Sequence, residues 1–128
     1  MDIINTCLAT TEPSRILASY SHLLSAGILL AMGIYILVKD RKILNFSFFL
    51  FSVYTSIWLF ADWVTWVTNN YFLVNVFWAF IDYIDVCMFL VAAYFYFVFI
   101  NGRDIPNRYK LLITALTLYP LYLTLSVS

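Results

Sequence analysis

The stretch "NVFWAFIDYIDVCMFLVAAYFYFVFI", Asn75 to Ile100, decides the environment of this chain. It is apolar enough to cross a bilayer as a helix, because about 20 apolar residues span the roughly 30 Å hydrocarbon core. Its middle nevertheless carries two carboxylates, Asp82 and Asp85. Acids in such a helix are costly in contact with lipid, so we expect them to face protein, trapped water or another subunit.

The composition of the whole chain agrees with a membrane setting. Of its 128 residues, 64% are hydrophobic and 11% are charged. Ordinary soluble domains have about 45 to 50% apolar and about 25% charged residues. A single small core cannot hide this surplus of apolar surface, so we expect lipid to cover it. The net charge is zero, which argues against a nucleic-acid partner.

Four apolar runs are long enough to cross a membrane. They cover residues 16–38, 43–67, 72–100 and 111–127. The sequence therefore predicts an all-α fold: one transmembrane domain over residues 1–128, built as an integral membrane four-helix bundle. The bundle is expected to belong to a larger helical bundle or an oligomer.

The loops between these runs predict the orientation. Loop 39–42, "KDRK", and loop 101–110, "NGRDIPNRYK", hold six of the seven basic residues, and Arg15 lies on the other side. Short loops rich in Lys and Arg stay in the cytoplasm, so both termini are predicted to lie outside. In the second loop, Asn101 and Gly102 should end the third helix, and Pro106 should prevent its continuation.

Polar residues in the spans form a stripe. Asn75, Trp78, Asp82 and Asp85 follow spacings of three, four and three, so they share one helix face. Counted along the helices, His22 of the first span and Asp62 of the second fall in the same outer half of the bilayer. The sequence predicts an outer polar pocket made of His22, Asp62, Asn75, Trp78, Asp82 and Asp85.

The chemistry of this pocket stays open between three interpretations. Intramembrane polar contacts can hold helices together, bind a ligand in a sensing pocket, or carry protons or ions. No HExxH, GxSxG, phosphate-binding loop or paired CxxC motif occurs. We therefore predict a non-enzymatic protein with no catalytic residues, no metal site and no cofactor.

Two residue patterns predict packing and anchoring. Gly27 and Ala31 form a small-xxx-small pair, which is typical of a helix-packing face. Trp63, Trp66 and Tyr71 lie where the second span leaves the membrane and the third enters it, a position typical of interfacial anchors.

The segment "LLSAGILLAMGIYILVKDRKILNFSFFLFSVYTSIWLFADW", Leu23 to Trp63, resembles the start of the seven-helix membrane region of some bacterial sensor histidine kinases. The likeness covers an outward-starting first helix, a short basic loop, the entry "NFSFF" at Asn45 to Phe49 and the mid-helix Trp58. The resemblance implies a sensory module that signals to a cytoplasmic output domain. This chain has four predicted helices instead of seven.

These patterns favour an integral membrane sensory or accessory subunit of a bacterial inner or plasma membrane. It is expected to act through a homo-oligomer, a larger membrane complex or a separately encoded cytoplasmic output protein. Two alternatives remain: a small oligomeric ion or proton channel or carrier that uses the intramembrane aspartates, and a purely structural membrane subunit.

Overall fold

A computed structural model describes residues 16–17 and 19–127, and every regular element in that part of the chain is helical. Helix α1 covers Ser19–Lys39, opening as a π-helical turn at Ser19–Leu24 and continuing as an α-helix over Ser25–Lys39. Helices α2, α3 and α4 cover Ile43–Val67, Tyr71–Asn101 and Asn107–Val127. The all-α prediction is confirmed.

Three of these helices, α1, α2 and α3, are long and apolar enough to cross a membrane. They contain 21, 25 and 31 residues, and their bounds agree closely with the first three predicted runs. Large apolar side chains such as Leu17, Tyr35 and Phe89 are exposed. Helix α4 covers the fourth run, and its crossing of the membrane stays a prediction, as does the orientation of the termini.

Local sequence explains where α3 begins and ends. The Asn70 side chain accepts hydrogen bonds from the backbone N–H groups of Phe72 and Leu73, at 3.0 and 3.4 Å, which is the usual work of an N-cap. At the other end Gly102 adopts φ = 61°, a left-handed conformation that glycine takes without strain. Helix α4 starts directly after Pro106, so the predicted break is confirmed.

Helices α1 and α2 pack antiparallel through small residues. Gly33 and Ala26 of α1 are buried, as are Ser52 and Ser56 of α2. A Cβ atom added at Gly33 would lie 2.8 Å from the Cβ of Ser52, so the two backbones approach closer there than any larger residue allows. The Ser52 hydroxyl donates to the carbonyl of Phe48 in its own helix, which leaves no buried hydroxyl unsatisfied at this crossing.

Helix α3 packs on another side of α2. Its Phe95 ring lies 5.8 Å from the ring of Phe48 and 6.4 Å from that of Phe51, measured between centroids. Closer to the start of α3, Ile84 and Cys87 are buried. Helix α2 is therefore the central helix, with α1 and α3 as its neighbours.

Helix α4 joins this row through α3. Within residues 19–127, α1 makes no close backbone approach to α3 or α4. A closed bundle would bring α1 against one of them, so the predicted four-helix membrane bundle stays a prediction.

The predicted packing role of Gly27 and Ala31 is wrong within this chain. Both residues are exposed, and a Cβ atom added at Gly27 would meet no atom within 4 Å. Ala26 and Gly33 take the contact instead. They lie seven residues apart, about two helical turns, and so share one face of α1.

Candidate functional site: a polar seam between α1 and α2

His22 lies in the π-helical turn that opens α1. A π-helical turn is wider than an α-helical one and appears often at functional sites. Three of the six residues in this turn, Ser19, Ser21 and His22, are polar and take part in side-chain hydrogen bonds. The turn thus concentrates polar side chains at the end of α1 predicted to lie on the outside.

The imidazole of His22 connects α1 to α2. Its Nε2 lies 2.9 Å from Oδ2 of Asp62, and its Nδ1 lies 2.8 Å from the hydroxyl of Ser21. The side chains of His22 and Asp62 are 21% and 26% exposed, so the pair is mostly buried but still accessible from the surface. The predicted proximity of these two residues is observed.

A second contact reinforces the same crossing. The indole Nε1 of Trp63 donates a hydrogen bond of 3.0 Å to the hydroxyl of Ser19. Trp63 follows Asp62 directly, so two consecutive residues of α2 hold two residues of the π-helical turn. The sequence predicted Trp63 as an interfacial anchor and missed this bond, because a hydroxyl partner 44 residues away leaves no local pattern.

Deeper in the interface, the hydroxyl of Ser56 donates a buried hydrogen bond of 3.0 Å to the backbone carbonyl of Ala26. This bond crosses between helices, whereas Thr55 beside it bonds within its own helix. Together these contacts form a line of polar groups along the α1–α2 interface. We call this line the polar seam: Ser19, Ser21, His22, Ser56, Asp62 and Trp63.

The chemistry of the seam depends on the imidazole. Histidine gains or loses a proton near neutral pH, and carboxylates bind an imidazolium more strongly than a neutral imidazole. At Nδ1, a neutral ring accepts from the Ser21 hydroxyl, and a charged ring donates to it. The His22–Asp62 contact is therefore a hydrogen bond when the ring is neutral and an ion pair when the ring is charged.

The other predicted site residues lie on α3. Asn75, Trp78 and Asp82 are exposed, and Asp85 is half-buried. In the described part of the chain, no hydrogen bond or ion pair joins any of these four residues to His22 or Asp62. The structure brings the α1 and α2 members of the predicted pocket together and leaves the α3 members on a separate face.

Trp58 is a further polar feature that the sequence did not single out as part of the site. Its indole Nε1 is buried and has no hydrogen-bond partner among the described residues. The contacts of Phe95 with Phe48 and Phe51 set the antiparallel register of α2 and α3. By that register Trp58 lies at about the depth of Asp85.

At the opposite end of the helices, Asp104 ties the last loop together. Its carboxylate pairs with the ammonium group of Lys110, accepts a hydrogen bond of 3.0 Å from the hydroxyl of Tyr94, and accepts one of 2.8 Å from the backbone N–H of Ile105. The hydrogen bond from Lys110 is the main cause that lowers the pKa of Asp104 below its ordinary value. This cluster joins α3, the loop and α4 beside a groove of about 250 Å³.

Comparison with known proteins gives no match: no family model, no curated protein and no solved structure is similar to this chain. The polar seam and the exposed polar face of α3 are the features of the described chain that bear on its function.

Proposed function

We propose that this chain is a non-enzymatic integral membrane sensory or accessory subunit. Its polar seam responds to a signal at the outer side of the membrane, and the response is a shift of α1 against α2 that a second copy or a partner protein reads. The signal that the site suits best is a proton, or a small polar ligand that competes for Asp62. The bacterial inner or plasma membrane is the proposed location.

One observation carries this proposal: a titratable pair, His22 and Asp62, joins two membrane-length helices at 2.9 Å. A purely structural interface needs only constant contacts, such as the buried bond between Ser56 and Ala26. A sensory role is also what the proposed resemblance of residues 23–63 to sensor-kinase membrane regions implies.

The test measures the distance between α1 and the α2–α3 hairpin while the pH changes. Spin labels replace Tyr20 and Tyr71, two exposed residues near the outer ends of α1 and α3. The full chain is placed in lipid nanodiscs and measured from about pH 8 to about pH 5, the range in which histidine titrates. Protonation should strengthen the His22–Asp62 contact, so we expect the label distance to shorten or narrow at low pH.

Two variants show whether the pair is responsible. His22→Gln and Asp62→Asn keep polar side chains but remove the titrating pair, and both should abolish the pH response. Ser56→Ala is the matched control, because it removes a bond of the same interface that does not titrate. A distance that stays constant with pH in the native chain, or a response that survives His22→Gln, contradicts proton sensing at this pair.

A second candidate function is transport, and the position of Asp82 favours it. Asp82 is exposed on α3 and Asp85 is half-buried beside it, so neither acid is enclosed by the chain's own helices. Several copies with α3 at their centre would line a conduit with these acids. This function requires a pH-dependent flux of protons or cations into liposomes that Asp85→Asn abolishes, and the absence of flux at every pH rejects it.

A further inference from the structure

The outward face of α3 carries a regular repeat. Counting inward from Ala79, exposed residues recur at alternating steps of three and four along the helix. The opposite face holds the buried residues Ile84, Cys87 and Val98, which pack toward α2. We call the exposed repeat the α3 seam: Ala79, Asp82, Val86, Phe89, Ala93 and Tyr96.

Such a repeat fits a second helix. Residues at steps of three and four average 3.5 per turn, which keeps one line of side chains in contact with a helix that crosses at a shallow left-handed angle. Most helix pairs in membranes cross in this way, and small residues at the contact let the backbones approach closely. The seam places Ala79 and Ala93 on its line, and the large ring of Phe89 lies between them.

Asp82 makes an uncovered seam unfavourable in a bilayer. Among the described residues no hydrogen bond or ion pair satisfies its carboxylate, and its side chain is exposed. Exposing an aspartate to the hydrocarbon core is unfavourable. The register set by the Phe95 contacts places Asp82 at about the depth of Ala61, one residue from Asp62 and inside the predicted span.

We propose that the α3 seam is covered by the α3 seam of a second copy of this chain, packed parallel across a two-fold axis. The inference deepens the oligomeric part of the proposed function and shares its premise that α3 crosses a membrane. Copies inserted in one orientation are parallel and present equal residues at equal depth. Each copy thus places Asp82 opposite the Asp82 of its neighbour.

The chemistry of this face is self-complementary. Two facing carboxylates in a low-dielectric site disfavour joint ionisation, and one shared proton turns their repulsion into a hydrogen bond. The same face offers two donors toward the outside, the indole of Trp78 and the amide of Asn75, about one and two turns away. Neither side chain has a hydrogen-bond partner within the described residues, and no Lys or Arg lies in α3.

The test is cysteine cross-linking of the full chain in native membranes. Cys7→Ser and Cys87→Ala first remove the natural thiols, and single cysteines are then introduced at Ala79, Val86 or Ala93. Val76 and Phe80 are the matched controls, because both are exposed on α3 but lie more than about 100° around the helix from the centre of the seam. We expect oxidation to link seam cysteines into dimers of twice 14.9 kDa, and control cysteines to stay largely monomeric.

Variants at Asp82 measure what the acid contributes. In the Ala93→Cys chain, Asp82→Leu should weaken dimer formation about 3- to 20-fold, the size expected for one interhelical hydrogen bond. Asp82→Asn should retain most of it, because an amide both donates and accepts. The single-cysteine chains keep Asp82, so the test does not depend on these variants folding.

Three results overturn the proposal: equal linking at seam and control positions, monomers at every position, or seam cysteines that link to a different protein. Cross-linking requires neither His22 nor a change of pH, so its outcome is independent of the sensing test. Extraction of the membranes with alkaline carbonate checks the shared premise, because a chain released by carbonate contradicts both.

Discussion

The polar seam and the exposed face of α3 contain similar residues in opposite situations. In the polar seam each polar group meets a partner on the neighbouring helix or within its own, as Asp62 meets His22 and Trp63 meets Ser19. On α3, Asp82 has no such partner in the described part of the chain. Polar groups are costly in lipid. The first set is satisfied within one chain, and the second set is the one that we propose a second copy covers.

The largest expected effect concerns the close approach that permits the polar seam. Gly33→Ala places a methyl group 2.8 Å from the Cβ of Ser52, a buried atom that the α2 backbone holds. We expect this overpacking to lower the free energy of unfolding by about 1 to 3 kcal/mol. Unfolding by denaturant in mixed micelles measures the change.

Gly27→Ala is the control for this experiment. It lies in the same helix, and its added Cβ meets nothing within 4 Å. Alanine favours a helix over glycine by about 1 kcal/mol, so Gly27→Ala should leave stability unchanged or raise it. Similar destabilisation by both variants would show that the α1–α2 approach is not the cause.

A smaller effect separates the two polar regions directly. A double-mutant cycle on His22→Ala and Asp62→Ala should give a coupling energy of about 0.6 to 1.7 kcal/mol, between the average and the largest value found for interhelical hydrogen bonds in a membrane protein. The same cycle on His22→Ala and Asp82→Ala should give no coupling, because residues without shared contacts behave additively. Unfolding in mixed micelles gives all the required energies.

The second cycle tests whether the six residues of the outer polar pocket predicted from the sequence form one site. A coupling between His22 and Asp82 as large as that between His22 and Asp62 would unite the polar seam and α3 in one site. It would also remove the reason for a second copy to cover Asp82.

Particular residues show how much of the fold and of the candidate site can be predicted from the sequence. Helix type and bounds could be predicted because long apolar runs, Gly102 and Pro106 act locally. The proximity of His22 and Asp62 could be predicted because depth in a membrane is counted from the helix ends. Contacts that depend on how a helix is rotated about its axis could not be predicted. No local sequence signal indicates that Gly33 packs against α2 and that Gly27 does not.

The π-helical turn illustrates a second limit. One wide turn rotates every side chain before it relative to the rest of α1. A count based on 3.6 residues per turn therefore misplaces Ser19, whose hydroxyl accepts from Trp63. The direction in which Asp82 points was open for a related reason, because the stripe on α3 fixes which residues share a face but not which neighbour that face meets.

The smallest expected effect on stability lies at the loop between α3 and α4, where a charged side chain has a partner but is exposed to solvent. Asp104 is 36% exposed and pairs with Lys110, and exposed pairs contribute about 0.2 to 1 kcal/mol. We expect Asp104→Asn to lower stability by that amount at pH 7 in the micelle assay. Asp40→Asn is the control, because Asp40 pairs with Lys42 inside one loop at 2.7 Å and connects no two helices.

The pH dependence of this contribution follows from the pKa of Asp104, which is lowered mainly by the hydrogen bond from Lys110. A lowered pKa means that the folded state favours the carboxylate more than the unfolded state does. The stabilisation is therefore complete above the ordinary aspartate pKa of about 3.9 and disappears as the pH falls through the lower folded value. Native chain and Asp104→Asn should differ in stability at pH 7 and converge in strong acid, and a difference that persists in acid would assign the effect to packing of the side chain instead of its charge.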